Sequence, residues 1–203
     1  MHRFAFATFA LVLLATTAHA EERNLSNFDG VSAAGRFQVE VTRGPDYRVS
    51  VEGPDARHIR TRIHDGVLKI EGARSWFSEP ERDAIVRVTS PRIESLAAAR
   101  GMEMRATGID ARDLSLAAAM GAELTVSGAC GALSASTAMG AVIRASELLC
   151  ETADVSAAMG GSAEVYATVS LDASAAMGGD IEVLGQPARR DVSSAMGGAV
   201  NLR

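Results

Sequence analysis

The tripeptide Ala-Met-Gly occurs five times, at 119–121, 138–140, 158–160, 176–178 and 195–197, behind a degenerate copy, Ala99-Arg100-Gly101. From Gly101 onward the steps between the glycines are 20, 19, 20, 18 and 19 residues. Self-similarity at about 20 residues marks a fold that stacks one supersecondary unit on the next.

Within a repeat the pattern has period 2. Leu114, Leu116, Ala118, Met120, Ala122, Leu124 and Val126 alternate with Ser115, Ala117, Ala119, Gly121, Glu123 and Thr125, and the later copies keep the phase. Period 2 belongs to strands. Ala and Met are strong helix formers, but a helix would scatter this pattern around its axis and does not accommodate the glycine pairs at 160–161, 178–179 and 197–198. Such strands bury an apolar side only by stacking copy on copy. The expected fold is all-β, a single-stranded right-handed parallel β-helix with coils of about 19–20 residues. The alternation puts Met120, Met139, Met159, Met177 and Met196 inside the bore, as flexible apolar filler. The competing reading of that column is a path for a soft metal through the thioethers.

Ahead of the repeats, Arg36 to Val41 and Tyr47 to Glu52 flank the turn Gly44-Pro45-Asp46 and read as a hairpin. Ile59 to Ile63 and Val67 to Ile70 flank Asp65-Gly66 and read as a second hairpin. Ala84 to Val88 is a further strand. Residues 24–92 are therefore expected to cap the solenoid, with the coils running over 93–203. Trp76, the one tryptophan, sits beside Phe77 in the polar stretch 74–82. That pair either anchors a loop over the solenoid end or stacks on a ligand such as a sugar.

Residues 1–20 combine Arg3, an apolar run and Ala18-His19-Ala20, the pattern of a signal peptide cleaved after Ala20. The expected product covers 21–203 and is periplasmic or secreted, with no membrane span. Without Arg3 the 20 Lys+Arg become 19 against 25 Asp+Glu, so the formal net charge moves from −5 to −6 and speaks against a nucleic-acid partner.

Candidate chemistry is sparse. His58 and His64 carry no metal-ligand pattern. Cys130 and Cys150 are one repeat apart and should lie in neighbouring coils, either as a disulfide or as stacked thiols. Glu164 and Glu182 share one offset from their repeat glycines, and Glu123 and Asp180 another. Arg144 and Thr125 interrupt the first column, and Val142 and Ser162 the second. These columns read as a solvated face, against the alternatives of a Ca²⁺ site or a glycosidase-like acid pair. No catalytic residue, metal or cofactor is assigned. The terminal strand carries no cap, which exposes a parallel edge to self-association.

The segments Phe28-Asp29-Gly30-Val31, Phe37 to Val41, Tyr47 to Glu52 and Asp65 to Ile70, with Gly121-Ala122-Glu123-Leu124 and Gly140-Ala141-Val142-Ile143, resemble the putative auto-transporter adhesin, head GIN domain family (DUF2807) over about 28–203. The resemblance implies a secreted or envelope-associated β-helix with no established activity. In that family the residue before the repeat glycine is usually small and polar, whereas here it is Met five times. The expected function is that of an exported, non-catalytic, adhesin-like binding module whose partner is a glycan or another envelope component. The alternatives are a purely structural or assembly role and, more distantly, a carbohydrate-active enzyme. Coils of 18–20 residues leave little room for the long loops that would build an enzyme's cleft.

Overall fold

The computed structural model describes residues 20–72 and 83–203. Among them there is no α-helix, and a single 3-10 turn spans Ala56–His58. The expected parallel solenoid is present. Four long strands, β9 (Glu103–Ala119), β10 (Glu123–Ala138), β11 (Val142–Ala158) and β12 (Ser162–Ala176), each run from one Ala-Met-Gly corner to the next. β13 (Asp180–Leu184), β14 (Arg189–Ala195) and β15 (Ala199–Leu202) continue the stack. All these pairings are parallel, with Leu133 between Leu114 and Ala153 and Leu124 between Met104 and Ile143. Register breaks at 125–128 and around 145–152 bend each coil into two legs.

The interior follows the alternation. Leu114, Leu116, Ala118, Ala122, Leu124 and Val126 are all buried, and so are their counterparts Leu133, Ala135, Ala141 and Ile143. The row Ala118, Thr137, Ala157, Ala175 shows how narrow the bore is. Thr137 is buried there and its hydroxyl has no hydrogen-bond partner.

The Met column departs from expectation. Met120, Met139, Met159 and Met177 are 46–48% exposed and Met196 is 77% exposed, so the thioethers line the outside and not the bore. Each Met-Gly pair is a corner in which both residues take positive φ, for example 54° at Met120 and 70° at Gly121. Two consecutive left-handed residues make a tight turn of the mirror-image type. It is closed by hydrogen bonds such as Ala122 N–H to Ala119 O at 3.3 Å and Gly179 N–H to Ala176 O at 2.9 Å. The turn swings Met away from the core while Ala118 and Ala122 on either side stay inside.

The N-terminal region contributes coils as well as a cap. β2 (Gly30–Ala34) and β3 (Gln38–Arg43) turn at Gly35 and form one coil. β6 (Val67–Gly72) and β7 (Ile85–Ser90) form another, and β8 (Ser95–Ala99) leads through Arg100-Gly101 into β9. β2 lies between β6 and β8, and β3 between β7 and β9, all parallel. The coil made first in the chain thus sits between two made later. β1 (Glu21–Arg23), β4 (Arg48–Glu52) and β5 (Ile59–His64) supply the antiparallel end. The hairpin expected between 36–41 and 47–52 does not form, because β7 intervenes and pairs with β3 on one side and β4 on the other. The second hairpin does form, as β5–β6 about Asp65-Gly66. Arg87 of β7 bonds to Glu52 of β4 and, at 2.9 Å, to Glu40 of β3, so carboxylates on both neighbours raise its pKa and knit the three strands.

Close stacking makes some glycines obligatory. A Cβ on Gly179 would stand 2.3 Å from the carbonyl oxygen of Ala157 in the preceding coil, whereas one on Gly178 would meet nothing within 4 Å. Gly179→Ala is expected to cost about 1–3 kcal/mol through overpacking. Gly178→Ala should cost about 1 kcal/mol through its positive φ alone. Urea unfolding of the two variants checks the difference. Cys130 and Cys150 are register partners on β10 and β11, joined as a disulfide with Cα atoms 4.5 Å apart and 20 residues apart in sequence. Closing a loop of that length restricts the unfolded chain by about 3 kcal/mol. The double variant Cys130→Ala/Cys150→Ala should lose about that much, and so should wild type melted in reductant.

Candidate ligand groove

On the second leg of each coil, positions two apart face outward and the residue between faces in. The in-register stack turns these positions into rows. One outward row is Asp113, Ala132, Thr152, Ser170, Arg189. The other is Ser115, Ser134, Asp154, Asp172, Asp191. Between them lie Leu114, Leu133, Ala153 and Leu171, only 2–5% exposed. The two rows are walls and the middle row is a floor. The resulting groove has a cavity volume of about 720 Å³ and runs along the solenoid axis. Over four coil steps it extends about 19 Å at the strand spacing of about 4.8 Å. Small side chains at Ala132 and Ser134 keep the middle open. Glu94 closes one end, where its carbonyl accepts the Ser115 N–H at 2.9 Å, and Arg189 and Arg190 stand at the other.

The charges along the groove are mostly negative, from Glu94, Asp113, Asp154, Asp172 and Asp191, with two arginines at one end. Hydroxyls from Ser115, Ser134, Thr152 and Ser170 interleave with them. Such a lining accepts hydrogen bonds from hydroxyl- or amine-bearing ligands and repels anions. Asp154, Asp172 and Asp191 each stand six residues before a repeat glycine, as do Ser134 and Ser115, so a column of constant offset marked this row in the sequence. The columns singled out from sequence lie elsewhere. Glu164 and Glu182 are neighbours in a row with Arg144, Glu182 is paired with Arg203 at 2.8 Å, and Arg144 is paired with Glu123. Asp180 accepts from Asn201 at 3.3 Å. Glu123, Glu182 and Asp180 are thus used in holding the surface together.

The other residues named from the sequence are dispersed. Trp76 and Phe77 lie outside the described residues, as does the leader stretch 1–19. His58 bonds through Nδ1 to Asp55 at 3.1 Å, and His64 to Asp65 at 2.7 Å. Among the described residues no group of three or more His, Cys, Asp or Glu is arranged to hold a metal ion, and no helix is long and apolar enough to cross a membrane.

Two solved structures share the architecture. A putative adhesin from Bacteroides fragilis NCTC 9343 superposes with a TM-score of 0.73 at 14% sequence identity, covering 93% of this chain and 98% of its own. A putative lipid binding protein from Parabacteroides distasonis ATCC 8503 gives a TM-score of 0.54 at 19% identity, covering 93% and 98%. Among curated proteins none matches the chain. The sequence profile of the family described as putative auto-transporter adhesin, head GIN domain (DUF2807) matches residues 27–187. This chain belongs to the putative auto-transporter adhesin, head GIN domain family.

Proposed function

We propose that the protein is an exported, envelope-associated binding module without catalytic activity, and that the axial groove is where its ligand lies. The observation carrying this reading is the groove itself, a straight channel of about 720 Å³ whose two walls are built from one repeated position each. A repeating wall suits a repeating ligand. Hydroxyl and carboxylate groups at steps of about 4.8 Å can be met by the hydroxyls of an extended glycan. The excess of carboxylates selects a neutral or amino-bearing polymer over a phosphate-bearing one. The adhesin-type family supports export and surface binding, and the signal-like stretch 1–20 supports delivery to the periplasm or beyond. The absence of any enzymatic role is part of the same reading. Asp113, Asp154, Asp172 and Asp191 face Ser115, Thr152, Ser170 and Arg189 across the floor, so no acid of the two walls has a second acid opposite it, the pairing a glycosidase uses.

Titration with neutral glucans, chito-oligosaccharides and anionic phospholipid vesicles separates the ligand classes. Binding to either glycan class and not to the vesicles is expected. Ser134→Trp, which fills the middle of the groove from an exposed position, should weaken that binding at least tenfold. Trp76→Ala should leave it intact. Loss on Trp76→Ala with retention on Ser134→Trp would move the site to the 74–82 stretch.

An assembly role is the second reading, favoured by Val192 and Leu202, inward positions of the last coil that are 44% and 42% exposed. Pairing of β14 and β15 with a second copy would cover them. Sedimentation of the protein should then show dimers at high micromolar concentration, and a monomer throughout would remove this reading.

A further inference from the structure

Methionine is a poor choice for the corner. A non-glycine residue with positive φ places its Cβ against the following carbonyl, and Asn or Gly takes that conformation more readily. Yet the corner residue is Met at 120, 139, 159, 177 and 196, with φ between 48° and 54° each time. The side chain contributes nothing to the core, since each is about half exposed or more. A strained residue repeated in five coils and kept out of the interior points to something done by the side chain itself.

The corners stack. Gly121 N–H donates to Met139 O at 3.1 Å, Gly140 N–H to Met159 O at 3.2 Å and Gly160 N–H to Met177 O at 3.2 Å. Consecutive methionines therefore stand one strand spacing apart, about 4.8 Å. Two sulfurs that hold one ion linearly between them are separated by about 4.6 Å, twice a metal–sulfur bond of about 2.3 Å. Thioethers are soft, uncharged ligands that select Cu(I) and its analogues over Zn²⁺, Ca²⁺ and Mg²⁺. The rows beside the ladder are small: Ala119, Ala138, Ala158 and Ala176 on one side, the corner glycines on the other. Both cysteines are taken up in the disulfide, so no free thiol competes for a soft ion.

We propose that the exposed methionine ladder is a binding site for a soft monovalent metal ion, Cu(I) or Ag(I), with each ion bridged by the thioethers of two successive coils. Five rungs contain two non-overlapping pairs, so about two ions per chain are expected. The site is independent of the groove.

The test uses the full chain labelled with ¹³C at the methionine ε-methyls, titrated with Ag(I) in chloride-free buffer. The five ladder signals should shift and saturate near two ions per chain. Met102 and Met104, 1% and 0% exposed, are internal controls and should stay fixed. Zn²⁺ should move none of these signals. Because a thioether carries no proton, Ag(I) affinity should be the same at pH 5 and pH 8, whereas imidazole ligands would lose affinity as pH falls through about 6.5. Replacing all five by Asn, a residue that accepts positive φ, should preserve the β-rich circular dichroism and abolish binding. Cu(I) under argon should displace Ag(I). No shift in the wild-type ladder signals, equal shifts at Met102 and Met104, or undiminished binding in the five-fold Asn variant would each overturn the proposal.

Discussion

Parallel strands stay in register over many coils only if every coil turns its corner in the same way. Here that constraint is met by a pair of left-handed residues, closed by one hydrogen bond inside the corner and tied to the next corner by another. Everything else follows from this repetition. Leu sits on Leu, Ser on Ser and Asp on Asp because the corner neither gains nor loses a residue, and variation in coil length is absorbed at the mid-coil bends, where the register breaks occur. The continuous walls of the groove and the stacking of the corner side chains both follow from one repeated backbone conformation.

The same repetition sets the size of the core. A bore lined by Ala, Leu, Val and Ile, with Gly161, Gly179 and Gly198 against the backbone of the preceding coil, has no space for aromatic side chains. The larger core residues gather at the N-terminal end, where Phe28 packs on Tyr47 with ring centroids 5.1 Å apart and the antiparallel strands widen the interior. Stability is thus spread along the axis in small increments, as in other solenoids. The disulfide between β10 and β11 adds a covalent tie near the middle of the repeats.

Much of this architecture was legible in the sequence, because period 2 and a glycine every 18–20 residues leave few alternatives. Asp65-Gly66 announced its hairpin for the reason that it tolerates positive φ. The orientation of the methionines was not legible, and the cause is parity. A two-residue corner leaves Ala118 and Ala122 both facing inward, so Met120, lying between them in the same phase, looks inward by counting alone. Only its φ reveals otherwise, and helix and strand propensities say nothing about a left-handed Met. The strand order at the N-terminal end was hidden for a different reason. Val39 and Val49 alternate as hairpin partners would, and nothing local says that Val86 and Val88 will come between them. The aspartates of the groove wall carry a constant offset from the repeat glycine, the same kind of signal that marks the columns of Glu164 with Glu182 and of Glu123 with Asp180.

The placement of β2 and β3 between two later coils bears on how the chain reaches its native state. Gln38 finds its partner Glu103 65 positions away, whereas Leu124 and Ile143 are 19 apart. The first coil has both edges bare until the distant segments that flank it reach it. The repeats carry no such wait, because each coil's partner is only about 20 residues away. Loop-closure entropy therefore favours nucleation among the Ala-Met-Gly coils, with zipping along the axis and the N-terminal strands docking last. A protein that reads as beginning with its cap is, in the order of its folding, finished by it.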